Sequence, residues 1–121
     1  MNRHQNRVQI VFALYQHLLL KKDLNDCFLD NFENPDDYVL SIKEDLLNNI
    51  DTYKNDINEH LNKWTFDRLN YIDQAILLVS YSEIKNNINN KNIVIDEAIR
   101  IAKEYCDEDA YKYINGVLDR L

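Results

Sequence analysis

The fold is decided by residues 69–84, LNYIDQAILLVSYSEI, which carry apolar residues on almost every side of a helix through their middle. Thr65 is a plausible N-cap for this helix, which would run through to Ile84. A helix that is apolar all round must be buried. We therefore expect it to lie at the centre of the domain, with other helices around it.

The rest of the chain also shows helical periodicity, because apolar residues recur every three or four positions. This spacing predicts six further helices, at residues 3–20, 24–32, 35–50, 52–61, 95–102 and 110–121. Three of them begin after residues that suit N-caps, namely Asn34, Asp51 and Asp107. Trp64 is expected in the core, and Gly116 is expected inside the last helix where another backbone approaches closely.

Composition supports one all-α domain over residues 1–121. Glycine and proline occur once each, too rarely for the many tight turns of a sandwich or barrel. The partly apolar segment at residues 8–20 is interrupted by Gln9, Gln16 and His17, which argues against a signal peptide. Cys27 and Cys106 are far apart and fit no disulfide or zinc pattern. We therefore expect a cytoplasmic protein with two reduced thiols.

Catalysis finds little support in the sequence. The three histidines, His4, His17 and His60, are scattered, and none has a glutamate or cysteine at metal-ligand spacing. The chain contains no Walker loop, no GxGxxG and no HExxH. We expect no catalytic residue, no metal and no cofactor.

The C-terminal third carries the most specific pattern. It contains IDEAI at residues 95–99, AK at 102–103, ED at 108–109 and KYINGVLD at 112–119. Upstream, the chain has ALY at residues 13–15, RL at 68–69, Asp73, AIL at 75–77 and EI at 83–84. In these segments the sequence resembles the NusB family, and the resemblance covers nearly the whole chain.

The resemblance implies a fold of about seven helices in two small packed bundles. It also implies a transcription antitermination factor that binds boxA-type single-stranded RNA during ribosomal RNA transcription. The implied partners are NusE, a ribosomal protein of the small subunit, and the RNA polymerase antitermination complex. When free, such a protein is expected to be a monomer or a homodimer, without membrane association.

Site residues follow from the resemblance position by position. The implied RNA-binding residues are Arg3, His4, Arg7, Tyr15, Tyr105, Asp109, Lys112 and Tyr113. Arginine and lysine suit phosphates, and tyrosine rings can stack on unpaired bases. The implied contacts to NusE are Asp73 and Glu83, on the central helix. Four of these residues also have a structural alternative: Tyr15 and Tyr113 as core residues, Asp109 as a helix cap, and Lys112 as a solvated surface residue.

The net charge of −7 leaves a second functional hypothesis open, because nucleic-acid binders are usually basic. The resemblance also implies a cluster of basic residues at the N-terminus, and this chain has fewer of them. His4, Gln5 and Asn6 lie between Arg3 and Arg7, where further basic residues would be expected. The chain could therefore be a protein-interaction adaptor that binds NusE and contacts RNA only within the complex. An intact set of Asp109, Lys112 and Tyr113 favours direct RNA binding.

Overall fold

Helices make up the fold throughout, as the sequence predicts. The computed structural model describes all residues, Met1–Leu121, and contains no strand. Its elements are α1 (Arg3–Leu20), α2 (Leu24–Asn31), α3 (Asp37–Asn58), a 3₁₀ turn (Phe66–Arg68), α4 (Tyr71–Lys85), α5 (Lys91–Tyr105) and α6 (Ala110–Arg120). No helix combines the length and apolar character needed to cross a membrane.

Helix α4 lies at the centre, which confirms the prediction from residues 69–84. All its residues from Asp73 to Glu83 are buried. Helix α4 contacts α1 and α3 on one side and α5 and α6 on another. Helices α1, α2 and α3 also contact one another, as do α5 and α6. The two groups of helices share α4, and one continuous apolar core runs through both.

Helix α3 is one long helix, so the predicted break at Asp51 is wrong. Asp51 lies in its interior on an exposed face. The buried stripe of the helix continues past it through Tyr53 and Ile57, so nothing in the packing requires an end there. The helix also begins later than predicted, because Asp36 rather than Asn34 is the N-cap, and its carboxylate accepts the Val39 backbone N–H at 2.9 Å.

The segment before α4 differs from its prediction in two ways. Thr65 precedes only the short 3₁₀ turn, and α4 itself begins at Tyr71. Trp64 is 62% exposed, so its predicted core position is wrong. Phe66 fills the core instead and is 2% exposed, while its backbone N–H donates to Asn58 Oδ1 at 2.8 Å.

The single glycine also lies in different surroundings from those predicted. Gly116 is inside α6, but a Cβ added there would meet only the Arg120 side chain, at an ordinary 3.6 Å. No backbone of another helix approaches it, so the predicted close approach is wrong. Gly116 therefore weakens α6 through its backbone entropy without a packing role to offset the loss.

Gly116→Ala should increase the free energy of unfolding by about 0.5–1 kcal/mol, because alanine fits the space and restricts the unfolded chain. Urea unfolding followed by far-UV circular dichroism would measure this change. A decrease in stability would show that the helix cannot accept a Cβ at this position.

Candidate RNA interface

Four of the eight residues predicted to bind RNA lie on α1, at two separate places along it. Arg3, His4 and Arg7 occupy its first turns, whereas Tyr15 lies near its other end. The helical rise puts Arg3 and Tyr15 about 18 Å apart along the axis. Tyr105 lies with Tyr15, since both side chains line the same groove. The predicted set is therefore not one compact patch.

Arg7 is committed to an internal ion pair. Its Nε and Nη2 donate to the two carboxylate oxygens of Glu83, each at 2.7 Å. Only 4% of the Arg7 side chain and none of the Glu83 side chain are exposed. Burial alone would lower the pKa of Arg7, but the hydrogen bonds to Glu83 and nearby negative charge raise it overall. The ion pair therefore gives Arg7 and Glu83 a structural role, and their predicted contacts to RNA and to NusE stay predictions that these buried positions do not favour.

Arg3 and His4, the other two basic residues in the first turns of α1, are more accessible. His4 Nδ1 lies 2.7 Å from Glu97 Oε2, and the same carboxylate oxygen is 3.4 Å from Arg7 Nη1. Arg3 is exposed, and its guanidinium carbon lies 4.2 Å from the centre of the Tyr38 ring. The Tyr38 ring therefore holds the Arg3 guanidinium in place while its exposed side can still meet a phosphate. RNA binding by Arg3 and His4 stays a prediction.

Asp73 is also an internal residue. It is 3% exposed, and its carboxylate accepts a hydrogen bond from the Tyr113 hydroxyl. Burial and this hydrogen bond raise the pKa of Tyr113. Burial and Asp73 likewise raise the pKa of the Cys106 thiol. Asp73 Oδ1 is buried without a hydrogen-bond partner, and the residue also lines a surface depression. Its predicted contact to NusE stays a prediction.

Three tyrosines line a groove of about 360 Å³ where α1, α4 and α5 come together. Tyr15, Tyr71 and Tyr105 form what we call the tyrosine groove, and Ile72 lies between them. Tyr105 is 41% exposed, and its ring is held edge-on against Phe12 at 5.1 Å. The sequence reasoning missed Tyr71, although an aromatic residue at the very start of a buried helix is a usable signal. This arrangement offers ring faces to unpaired bases.

Asp109 and Lys112 lie at the start of α6. Asp109 occupies the N-cap position with a left-handed backbone, φ 74°, and its side chain does not cap the helix. The predicted cap at Asp107 is therefore wrong, since Asp107 instead accepts a hydrogen bond from Asn70 Nδ2 at 3.2 Å. Lys112 Nζ lies 3.3 Å from Asp109 Oδ1, and both side chains are about two-thirds exposed. Such an exposed pair is weak and leaves both groups available to a ligand.

Tyr113 is intermediate between the two alternatives that the sequence left open. Its hydroxyl is used internally by Asp73, yet its ring is only half-buried. The ring lines a groove that also includes Trp64 and Arg68. No three His, Cys, Asp or Glu side chains of the chain lie close enough together to hold a metal ion.

Glu83→Gln should lower the free energy of unfolding by about 3 kcal/mol, because it leaves the Arg7 charge buried without a counter-charge. Thermal and urea unfolding would measure the loss.

Glu108→Gln is the matched control, since Glu108 is exposed and its change should stay within about 0.5 kcal/mol. Equal effects of the two substitutions would contradict a structural role for the Arg7–Glu83 pair.

The sequence and the fold are both similar to those of NusB proteins. The family model described as "NusB family" matches residues 4–121. The transcription antitermination protein NusB of Pediococcus pentosaceus is 35% identical over 100% of this chain and 97% of its own length. Among solved structures, NusB of T. maritima has a TM-score of 0.89 at 28% identity, covering 99% of this chain and 89% of that one. The crystal structure of antitermination factors NusB and NusE in complex with double-stranded RNA contains a chain with a TM-score of 0.83 at 25% identity, covering 99% of this chain and 96% of that one.

Proposed function

The chain belongs to the NusB family, and we propose that it is a transcription antitermination factor that binds boxA-type single-stranded RNA together with NusE. The proposed setting is the RNA polymerase antitermination complex during ribosomal RNA transcription, in the cytoplasm. Residues 1–121 act as one RNA-binding domain, and the role is not catalytic. Relatives named as antitermination proteins and a structural neighbour solved with NusE and RNA support this proposal.

The tyrosine groove is the structural feature that best supports the proposal of RNA binding. Aromatic rings that are accessible but braced can stack on bases with little loss of side-chain entropy. Tyr105 is braced by Phe12, and Tyr15 packs in part against the core. Single-stranded RNA suits such a groove because its bases are free to stack.

Contacts to phosphate contribute little of the proposed RNA affinity, because few basic residues of the predicted set are accessible. Arg7 is internal, so Arg3, His4 and Lys112 are the remaining basic residues of the predicted set. The net charge of −7 opposes the approach of RNA at long range. Stacking therefore supplies most of the affinity at the tyrosine groove.

Arg7 is buried in an ion pair with Glu83, which leaves fewer cations for RNA. This supports the second candidate, an adaptor that binds NusE and contacts RNA only within the complex. In that case RNA should bind measurably only when NusE is present. Since Asp73 and Glu83 are buried, the proposed NusE surface also needs more accessible residues of this chain. Titration of boxA-type RNA with and without NusE separates the two candidates.

Tyr105→Ala should weaken binding of fluorescently labelled boxA-type RNA by about 1–3 kcal/mol, because a stacking ring is lost. Fluorescence anisotropy would measure the affinity. Tyr105→Phe is the matched control, since it keeps the ring and should bind nearly as well as the parent protein. If Tyr105→Ala lost no affinity, with or without NusE, the tyrosine groove would not be the RNA site.

Lys112→Gln should reduce the slope of log affinity against log salt concentration by about 0.7, the value for one phosphate contact on single-stranded RNA. Lys85 at the far end of α4 is also exposed, and Lys85→Gln should leave the slope unchanged. Affinities at three or more salt concentrations would give these slopes. Equal slopes for the parent and Lys112→Gln would remove Lys112 from the phosphate contacts.

A further inference from the structure

A second groove, of about 310 Å³, lies between residues 61–64 and α6. We call it the tryptophan groove, and its lining includes Lys63, Trp64, Lys112, Tyr113, Gly116 and Arg120. Three of its lining residues are cationic and none is a carboxylate, although the whole chain has a net charge of −7. The lining of the groove is therefore positive on an acidic protein, although Asp109 lies 3.3 Å from Lys112 just outside it.

Trp64 is the unusual feature of this groove. It is the chain's one tryptophan, and 62% of it is exposed to solvent. Leaving an indole in water forgoes the burial energy that Phe66 gains two residues later. An exposed aromatic ring beside cationic groups is the combination that single-stranded nucleic-acid sites use, since the ring stacks on a base and the cations meet phosphates.

The cationic side chains are placed to serve a ligand. Lys63 takes part in no ion pair of the structure. Arg120 Nη2 donates to the His60 carbonyl at 2.7 Å, which fixes the guanidinium across the groove, and Nη1 lies near Gly116. Because Gly116 has no side chain, the floor between Lys112 and Arg120 stays open.

The two grooves are also connected along the surface. Trp64 and Tyr113 line a third depression, of about 420 Å³, and Asp107 belongs both to it and to the tyrosine groove. Asp73, Asp107, Glu108 and Asp109 also line this depression, so an extended strand that stacks on Tyr105 can continue past Tyr113 towards Trp64 with its phosphates turned to solvent.

We propose that the tryptophan groove binds a further nucleotide of single-stranded RNA, with its base stacked on Trp64 and its phosphate held by Lys63, Lys112 and Arg120. This inference rests on the proposed RNA binding and extends it beyond the tyrosine groove. A nucleotide matches the groove because it joins a planar ring to an anion in one unit. An acidic segment of a protein would satisfy the cations but would leave the indole without a planar partner.

The experiment uses Trp64 as its own probe, since no other tryptophan contributes to the emission. BoxA-type RNA extended by several unpaired nucleotides at either end is added to the full chain, and binding is followed by anisotropy of a label on the RNA. Indole emission should fall in proportion to the RNA bound. Trp64→Ala should weaken binding about tenfold, whereas Trp64→Phe should keep most of the affinity.

The phosphate contact is tested separately. Lys63→Gln should reduce the slope of log affinity against log salt by about 0.7, and Lys85→Gln should not change it. Both lysines are exposed, so neither substitution should disturb the fold. Melting curves of all variants check this point.

Three outcomes would overturn the inference. If RNA binds and depends on Tyr105, but Trp64 emission and the affinity of Trp64→Ala are unchanged, the groove is not part of the RNA path and the proposed function stands. If NusE alone changes the emission and Trp64→Ala weakens only NusE binding, the groove is a protein interface. If no RNA binds with or without NusE, the proposed function fails and this inference fails with it.

Discussion

A helix that is apolar on every face is stable in water only when other helices cover every face, and α4 imposes that constraint on this chain. The constraint also reaches the polar residues of α4, because a buried polar group needs a partner. Asp73 accepts from Tyr113 of α6, Ser82 donates to Asp45 of α3 at 2.6 Å, and Glu83 holds Arg7 of α1. These three side chains take their partners from three different helices, so the bonds help to specify which helix covers which face.

Most of the fold could be predicted from hydrophobic periodicity, and the errors of that prediction have physical causes. The pattern predicted α1, α4 and the all-α class because these depend on local spacing. It failed at Asp51, where a residue that often caps a helix lies on the exposed face of a continuous one. It also failed at Trp64, because two aromatic residues stand two positions apart and only Phe66 can enter the core. Which ring is buried depends on the path of the backbone, and local spacing does not contain that information.

The site residues show a similar division. The family resemblance implied Tyr15, Tyr105 and Lys112 as RNA contacts, and the structure leaves all three accessible at least in part. The sequence could not reveal that Arg7 pairs with Glu83, because 76 residues separate them. A charge pattern alone cannot distinguish a surface arginine from one that stabilises a buried helix. The family resemblance suggested Arg7 as an RNA contact and Glu83 as a NusE contact, whereas both side chains are buried in the structure.

The interior and the proposed RNA surface meet at Tyr113. Its hydroxyl is anchored to buried Asp73, while its half-buried ring lines two surface grooves. Burial and the hydrogen bond to Asp73 raise the pKa of Tyr113 above its ordinary value, so its hydroxyl stays protonated, and therefore donating, in the alkaline range where a free tyrosine ionises. The anchor thus holds the first turn of α6 in place regardless of modest changes in pH, and Lys112 precedes Tyr113 in that turn. Asp73 of α4 therefore does two things: it joins α6 to the central helix, and it fixes the position of Lys112 on the proposed RNA surface.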